Sequence, residues 1–452
     1  MQASGSEAPQ KIAVVGTGIA GMGAAWLLSQ RHEITVYESD GRVGGHSHTV
    51  DVVDRQGRAI PVDTGFIVYN ELNYPNLTAL FAHLGAPTKK AEMDFAVSLD
   101  NGALEYGSAR PTAIFAQKRN VFSPRFWSML LDLTRFYREA PTDKSLQAEA
   151  RLSIGEYVKS GGYCAAFLED HLFPQAAAIW SASVASIREY PAAALVRFFE
   201  NHGLLKIIGR PQWRTVTGGS RAYVERLTAP YADRIRLDCG VRAIRRLPDG
   251  VLITDTKGNT ERYDQVLIAS HGDQALAMLE DPSREEGQLL GAFRYTRNVA
   301  VLHTDLALMP QRRAAWSSWN YIGERGDPAG RCVTYWMNRL QSFESADPVL
   351  LTLNPYVPPD PAKVLKVERY DHPMFDAHAM AAQRRLWSLQ GVRRTWFCGA
   401  YFGSGFHEDG LQSGLAAAEA MGGVRRPWRV ASESGRIFID QSPPHPAAEL
   451  VA

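Results

Sequence analysis

Lys11-Ile-Ala-Val-Val15-Gly16-Thr-Gly18-Ile-Ala-Gly21 is the stretch that decides the fold of this chain of 452 residues. Its first five residues form a mostly apolar, partly β-branched run, which is typical of a buried parallel strand. The glycines follow the G-x-G-x-x-G pattern: Gly16 permits a tight turn, Gly18 lets the backbone approach a pyrophosphate, and Gly21 lets the next helix pack closely on the strand. Apolar residues then recur at helical spacing up to Leu28. The order of strand, glycine turn and helix predicts a dinucleotide-binding unit.

An acidic residue stands where such a unit needs one. Segment 33–37 predicts a second strand, and Glu38 follows it, 22 positions after Gly16. A carboxylate roughly 20 positions after the first glycine binds a ribose hydroxyl, and it disfavours a 2′-phosphate. Glycine-rich turns also occur in α/β proteins that bind no nucleotide, but both strands, the helix and Glu38 together favour a dinucleotide.

A second glycine cluster, Gly41-Arg42-Val-Gly44-Gly45-His46-Ser-His48, follows Glu38 almost at once. Here the chain resembles the flavin amine oxidase and phytoene desaturase superfamily, whose members carry Gly-Arg-x-Gly-Gly after the acidic residue. The resemblance continues at segments 62–65, 218–220 and 398–414, and it covers nearly the whole chain. It implies an α/β fold in which a Rossmann-type FAD-binding domain carries an inserted α+β substrate domain, as in amine oxidases.

The resemblance also implies FAD as the cofactor, with the glycine clusters along its diphosphate and the isoalloxazine beyond them. The implied cofactor contacts are Gly16, Gly18, Ile19, Ala20, Gly21, Glu38, Ser39, Gly41, Arg42, Gly44, Gly45, His46, Val241, Gly399, Asp409, Gly410, Leu411 and Ser413. A plain buried valine in a strand explains Val241 equally well. Family members usually carry Asp after the closing glycine, where this chain has Ala400, so Glu408 or Asp409 could replace that contact. Covalent members attach flavin through a cysteine in the closing segment, and residues 401–414 contain none, so we predict non-covalent FAD.

His407 and Glu408 are the candidate catalytic residues. Histidine titrates near neutrality, and in the family the segment around His407 wraps the isoalloxazine, so His407 could act as an acid or a base. The alternative is a hydrogen-bonded structural histidine. His46 and His48 form an HxH pattern, but no third ligand stands at a matched spacing, and we predict no metal site.

Composition limits the class of protein. Lys and Arg number 49 against 48 Asp and Glu, so the net charge of +1 provides no general field for nucleic acid, and we expect no nucleic-acid partner.

The cysteines are too far apart for a CxxC pair or a zinc site, which predicts free thiols in a reducing cytoplasm. The first ten residues lack the features of a signal peptide, so we expect the mature chain to begin near Met1. The uncharged segments 12–30 and 172–187 do not resemble membrane spans.

The predicted domains are discontinuous. We assign 1–80, 205–275 and 386–425 to the FAD-binding domain, and 81–204 and 276–385 to the substrate domain. Residues 426–452 form a C-terminal tail, which we expect to be solvated and weakly ordered because it carries arginines and several prolines.

Residues 124–139 predict an amphipathic helix with two alternative roles. It is either a core helix of the substrate domain or an interfacial helix that contacts membrane lipid. The apolar stripe consists of Phe126, Met129, Leu130, Leu133 and Phe136, widened by Trp127, Leu131 and Tyr137. The arginines that favour lipid contact are Arg119, Arg125, Arg135 and Arg138. Periodicity does not decide between the two roles; in the second, Phe126, Trp127, Leu130 and Leu133 are expected to meet the lipid.

Within the superfamily, segments 45–49, 63–70 and 405–410 are most similar to a bacterial group. That group includes the desaturase that acts on methyl-branched acyl chains in furan-fatty-acid synthesis. The resemblance implies an FAD-dependent oxidoreductase that desaturates, or isomerises by hydride transfer, an unsaturated or methylated fatty-acyl chain, free or bound in a phospholipid. The free thiols and the missing signal peptide predict a cytoplasmic protein, and the interfacial alternative for residues 124–139 predicts peripheral contact on the inner face of the membrane. An amine, porphyrinogen or carotenoid oxidase on the same fold, or a non-catalytic flavin-binding protein, are the alternatives, and the sequence does not identify the electron acceptor.

Overall fold

The computed structural model describes residues 8–148, 152–180, 182–327 and 332–439. Within these ranges the strands are β1 (Lys11–Val15), β2 (Glu33–Tyr37), β3 (Thr49–Val53), β4 (Ala59–Asp63), β5 (Tyr69–Asn70), β6 (Thr88–Ala91), β7 (Phe95–Leu99), β8 (Leu104–Gly107), β9 (Trp213–Val216), β10 (Ile235–Arg236), β11 (Val241–Leu247), β12 (Gly250–Asp255), β13 (Thr260–Tyr263), β14 (Gln265–Ile268), β15 (Arg294–His303), β16 (Trp319–Gly323), β17 (Cys332–Trp336), β18 (Leu350–Leu353), β19 (Val364–Met374) and β20 (Thr395–Phe397). The α-helices are α1 (Ile19–Leu28), α2 (Pro75–Leu84), α3 (Pro124–Glu139), α4 (Ser145–Ala148), α5 (Ile154–Ser160), α6 (Ala165–Phe167), α7 (Phe173–Trp180), α8 (Val184–Arg188), α9 (Ala192–Asn201), α10 (Arg221–Thr228), α11 (Gly272–Met278), α12 (Arg284–Leu290), α13 (Met337–Leu340), α14 (Ala377–Gln383) and α15 (His407–Ala420).

The first apolar run forms the middle of a parallel sheet with the strand order β10-β2-β1-β14-β20. Ile12 and Val14 pack on one face of the sheet in a core that includes α1 and α15. Ala13 and Val15 pack on the other face in a core that includes α11, α12 and α14. Because both faces are covered, the strand is apolar at successive positions rather than at alternate ones. The predicted strand, glycine turn and helix are confirmed, and so is the α/β fold class.

Two glycines bring α1 close to its neighbours. A Cβ atom on Gly21 would lie 2.0 Å from the carbonyl oxygen of Gly16, and one on Gly414 would lie 2.1 Å from the carbonyl oxygen of Ala20. Neither position tolerates a side chain without movement of the backbone. The helix therefore lies directly on the glycine turn, as predicted for Gly21, and α15 lies directly on α1.

A mixed sheet with the strand order β19-β15-β18-β17-β16-β7-β8 forms the second layer of the molecule. A turn at Asp100, Asn101 and Gly102 joins β7 to β8, and these residues have φ angles of 51°, 52° and 79°. Helices α3 and α5 to α9 share one large core with this sheet. The long pair β15·β19 runs from this core back to the parallel sheet, where Phe375 packs with Phe397.

The packing places some domain boundaries elsewhere than the sequence suggested. β6 lies beyond the predicted boundary at residue 80, yet it pairs with β9 of the predicted FAD-binding segment. α12 and α14 lie in the predicted substrate segment 276–385, yet they pack against the parallel sheet. The sequence of a helix that connects two layers does not show which of the two layers the helix packs against.

The expectation of a solvated, weakly ordered tail is wrong for residues 426–439. Arg426 is 3% exposed and donates to Glu419 and to Asn76. The Trp428 ring stacks on Trp26 at 5.8 Å between ring centroids. Asn76 and Trp26 lie far away in sequence, so the composition of the tail alone could not reveal these contacts. Residues 440–452 lie outside the described part of the chain.

Helix α3 uses one of its two apolar faces in the core. Phe126, Met129 and Phe136 are at most 2% exposed, which agrees with the core-helix alternative for this stripe. Phe126 therefore cannot meet lipid. Trp127 and Leu131, in contrast, are 45% and 68% exposed. No helix of the described residues has the length and apolar character needed to cross a bilayer.

Candidate functional site

Glu38 closes the turn between β2 and the second glycine cluster. One carboxylate oxygen accepts from the backbone N–H of Thr17 at 2.9 Å, and the other accepts from the backbone N–H of Asp40 at 2.9 Å. A hydrogen bond from Cys239 N–H to the Glu38 carbonyl oxygen at 2.8 Å brings the start of β11 beside this turn. Val241, the first residue of β11, therefore lies near the predicted ribose-binding carboxylate. The structure brings these two sequence-predicted residues together.

An open space lies in front of the N-terminus of α1. Gly18 is the N-cap of this helix and has no side chain to accept from the first-turn amides, which can therefore bind an anion. A Cβ atom on Gly18 would meet no heavy atom within 4 Å. The backbone of Gly45 borders this space, because a Cβ atom there would lie 3.1 Å from the Gly18 Cα. The two glycine clusters together form the cradle that a pyrophosphate requires.

Arg42 supplies an unpaired cation beside this cradle. Its Nη1 atom is buried and has no hydrogen-bond partner among the described residues. Leaving a buried donor unpaired costs roughly 1–3 kcal/mol, and more when the group is charged. The guanidinium also lies close enough to His46 and His48 to help lower the pKa of both, after burial itself. A negatively charged ligand would satisfy Arg42.

His46, which lies near Arg42, belongs to a cluster of neutral aromatic rings. The His46 ring lies 4.9 Å from the Tyr370 ring and 5.7 Å from the His372 ring, measured between centroids. Burial lowers the pKa of His372 to about 4 and lowers that of His46 well below its usual value. At neutral pH these rings carry no charge, so the positive potential here comes from Arg42 and the helix terminus.

His407 is held as a neutral, stacked ring. It lies on Phe66 with 3.8 Å between ring centroids and 8° between the planes. Its Nε2 atom is 2.6 Å from the Tyr223 hydroxyl and 3.3 Å from the Ser47 hydroxyl. Burial lowers the pKa of His407 to about 3, which makes it a weak base at neutral pH. The geometry thus favours a positioning role for His407 over the predicted acid or base role.

Glu408 has a structural position, contrary to the prediction of a catalytic role. It is fully buried, and its carboxylate accepts from the backbone N–H of Asn76 at 3.0 Å and of Leu77 at 2.9 Å. The Asn76 side-chain amide and Gln412 each add a hydrogen bond of 2.9 Å to the same carboxylate. These donors occupy the carboxylate at the start of α2, where a negative charge stabilises the helix.

Asp409 does not replace the missing family contact either. Its carboxylate accepts from the backbone N–H of Phe406 at 2.8 Å and lies 2.6 Å from Nε of Arg436. Ser413 links α15 to the end of β20, because its hydroxyl accepts from Gly399 N–H at 2.9 Å and donates to the Gly410 carbonyl oxygen at 2.9 Å. Leu411 is fully buried. Ser413, Gly399 and Gly410 therefore shape the closing turn, whereas Asp409 anchors the tail.

An aromatic wall extends from the closing segment into the substrate domain. The Phe406 ring lies 4.8 Å from the Phe198 ring, and Phe198 stacks on His202 at 3.8 Å. Trp180 packs on the other side of Phe198 at 4.8 Å. His202 Nδ1 contacts the Phe198 carbonyl oxygen at 2.9 Å, while its Nε2 is buried without a partner among the described residues.

The family assignment rests on a match of residues 19–422 to the family described as flavin containing amine oxidoreductase. The chain belongs to this family. A curated relative from Mycobacterium tuberculosis, provisionally named flavin-containing monoamine oxidase AofH, is 26% identical over 286 residues. That match spans 60% of this chain and 59% of the relative's length.

Solved structures of the amine oxidoreductase fold are similar over most of the chain. Cyclohexylamine oxidase from Brevibacterium oxydans IH-35A matches with a TM-score of 0.63 and 16% identity, covering 91% of this chain and 98% of the other. A CLA-producing fatty acid isomerase from P. acnes matches with a TM-score of 0.62 and 16% identity, with the same coverage. At such identities the likeness establishes the fold alone.

Family membership identifies the cofactor as a flavin, and the residues present fit one. The anion cradle at Gly18 and Gly45, the unpaired Arg42 and the oriented Glu38 carboxylate are the groups that the diphosphate and the ribose of FAD need. Beyond them, the rings of His46, Phe66 and neighbouring aromatic residues offer flat surfaces for the isoalloxazine.

Several residues of this site were missed by the sequence reasoning. Tyr370, His372, Phe198 and His202 come from segments that are far apart in sequence and carry no glycine motif. Only the cross-strand register could have indicated them: β19 and β15 bring Tyr370 and His372 back to the cofactor segment.

Proposed function

We propose that this protein is an FAD-dependent oxidoreductase that takes a hydride from an unsaturated or methylated fatty-acyl chain, free or bound in a phospholipid. The net reaction is a desaturation or an isomerisation. The observation that supports it most is the junction of the anion cradle, with its unpaired Arg42, and the aromatic wall that begins at Phe406. The first feature suits the diphosphate of FAD, and the second suits an apolar substrate.

The proposed FAD is non-covalent. Cys398 is buried in the core at the end of β20, and burial raises its thiol pKa. Cys239 packs in the core on the other face of the parallel sheet, and Cys332 lies within β17 of the second sheet. None of these three thiols lies among the aromatic groups that border Arg42, which supports dissociable binding.

Electrostatics favour an uncharged substrate chain over an amine cation. Bound FAD would pair Arg42 with its diphosphate, and His46, His372 and His407 are neutral. The nearby carboxylates Glu408 and Asp409 are both occupied by hydrogen-bond donors of the protein. An ammonium group bound here would therefore find neither of these two carboxylates free to neutralise it.

The chain's own residues bind, orient and exclude water. FAD supplies a two-electron acceptor for a hydride when it is bound. Tyr223 and Ser47 hold His407 flat against Phe66, which fixes the closing segment that carries Phe406. Phe406, Phe198 and Trp180 then present an apolar surface along which an acyl chain can lie. A net desaturation also requires a second two-electron acceptor, whereas an isomerisation returns the hydride to the same chain.

The test is anaerobic mixing of the FAD-loaded protein with two series of candidate substrates. One series contains unsaturated and methyl-branched fatty acids and their phospholipids, and the other contains primary amines, diamines and cyclohexylamine. We expect loss of the oxidised flavin absorbance, or a shifted double bond without such loss, with acyl chains only. Bleaching by amines alone would favour the amine oxidase alternative, which the name of the M. tuberculosis relative suggests. Porphyrinogens and carotenoids would be added in the same way as a third set. If none of these compounds reacts, the result would favour the alternative of a non-catalytic flavin-binding protein.

A further inference from the structure

Helix α3 carries a second apolar face that the core does not use. Val121, Phe122, Trp127 and Leu131 are 42%, 86%, 45% and 68% exposed, and we call them the α3 patch. They are neighbours in space, because Trp127 Nε1 donates to the Val121 carbonyl oxygen at 2.8 Å and Leu131 follows Trp127 by one helical turn. Single exposed apolar residues are ordinary, whereas an adjacent group of large ones marks an interaction site.

Folding does not require the patch to be apolar. The opposite stripe of α3, Phe126, Met129 and Phe136, already fills the core of the substrate domain. Serine or lysine at Phe122 or Leu131 would leave that stripe intact and would keep more of the helix surface polar. The exposed side chains are therefore best explained by a partner.

Cations surround the patch. Lys118, Arg119 and Arg138 are exposed, and Arg119 donates to the Ala103 carbonyl oxygen rather than to a carboxylate. Among the acidic neighbours, Glu139 pairs with Arg138, and Asp132 pairs with Arg135. Lys118 and Arg119 have no carboxylate partner among the described residues, so they give the edge of the patch a positive charge, although the whole chain is nearly neutral.

A cavity opens at the edge of the patch. It has a volume of about 290 Å³ and is lined by Phe122, Ser123, Arg119, Arg125 and Arg325, among others. Asp170, which also lines it, pairs with Arg125 and Arg325, and the same two arginines pair with Glu169 and Asp100, so Arg119 is the lining cation that no carboxylate of the described residues neutralises. An apolar surface bordered by Lys118 and Arg119 matches the layering of a bilayer, with acyl chains below and anionic headgroups above.

We propose that the α3 patch docks the protein on an anionic lipid bilayer. Phe122, Trp127 and Leu131 enter the boundary between headgroups and acyl chains, while Lys118, Arg119 and Arg138 contact the headgroups. This surface differs from the one expected from the sequence, because it excludes the buried Phe126. Docking is independent of the proposed chemistry and is measured without turnover, but it would bring a phospholipid-bound acyl chain to the same domain that carries the aromatic wall.

The experiment is flotation of the FAD-loaded protein with vesicles of phosphatidylcholine alone or mixed with phosphatidylglycerol. We expect binding to the mixed vesicles that weakens as salt rises, because headgroup attraction is screened. The variant F122S/L131S should lose roughly a hundredfold of its vesicle affinity, since each buried apolar side chain contributes about a factor of ten. Matched controls are V53S and L72S, which remove equally exposed apolar residues, 64% and 68%, outside α3. They should bind as the wild type does.

Three results would overturn the proposal: no binding of the wild type to mixed vesicles, equal binding of F122S/L131S, or equal loss in V53S and L72S. A wild type that forms a dimer which F122S/L131S abolishes would assign the patch to a second copy of the chain instead. Flavin absorbance and circular dichroism of each variant show that it is folded. If the double variant does not fold, F122S alone decides, because Phe122 is 86% exposed. Vesicle binding without acyl turnover would refute the proposed function and leave the docking intact.

Discussion

Gly18→Val should remove FAD binding while the protein stays folded. Gly18 has φ of −62° and ψ of 172°, an extended conformation that valine adopts without strain, and its Cβ would point into open space. Replacing glycine by valine at an N-cap costs about 1 kcal/mol or less of helix stability. The added methyl groups would occupy the space that we assign to the pyrophosphate.

The assay compares unfolding with and without FAD. At a FAD concentration 100 times the Kd, the wild type should gain about 2.7 kcal/mol of unfolding free energy. Gly18→Val should gain none at the same concentration and should purify without yellow colour. Gly21→Val is the contrasting variant: its Cβ would lie 2.0 Å from the Gly16 carbonyl oxygen, so this protein should not fold. Full FAD stabilisation of Gly18→Val would show that the cofactor does not lie at this helix terminus.

Three further predictions follow from other parts of the structure. Arg436→Met should lower the unfolding free energy by about 3 kcal/mol in urea titrations, because it leaves the fully buried Asp409 carboxylate without its cation. An unchanged urea midpoint would show that the tail contributes nothing to stability through this ion pair. Acidification from pH 6.5 to 4 should also destabilise the fold. The pKa of His372 is about 4 in the folded protein and about 6.5 in the unfolded chain, so the unfolded chain binds a proton that the folded protein does not. The unfolding free energy should therefore fall by about 3 kcal/mol at pH 4. Burial raises the pKa of Asp63 to about 6, so the protonation of this carboxyl stabilises the folded state in acid and offsets part of the loss caused by His372. The variant His372→Asn should therefore show urea midpoints that depend less on pH than those of the wild type. Acid precipitation of the holoprotein should release all flavin into the supernatant, and colour in the pellet would contradict non-covalent binding.

The cofactor half of the site could be predicted because its signals are local. The strand, the glycine turn, the helix and Glu38 lie within residues 11–38, and each has a backbone or charge requirement that only a few residue types meet. The structure places Gly45 beside Gly18 at the N-terminus of α1, as two glycine clusters that share one ligand require, and the binding of FAD there stays a prediction.

The catalytic assignment stays a prediction, because the freedom of a side chain to react depends on neighbours from other segments. Glu408 follows His407 in the sequence, yet successive helical residues point in different directions, and Glu408 faces the start of α2. In the same way, the periodicity of α3 showed apolar residues on two faces but could not show which face meets the core. Arg436 looked like an exposed arginine because its partner, Asp409, lies 27 residues earlier in the chain.

Oxidation of an acyl chain at the flavin is tested most directly by the mass of that chain after incubation with the FAD-loaded protein. Unsaturated and methyl-branched fatty acids and their phospholipids would be incubated with an added two-electron acceptor and analysed by mass spectrometry, with Gly18→Val as the control. We expect either a loss of two hydrogens per chain or, for an isomerisation, an unchanged mass with a moved double bond, and no change with Gly18→Val. Acyl chains that return unaltered from a protein whose flavin is reduced by amines would contradict the proposed function.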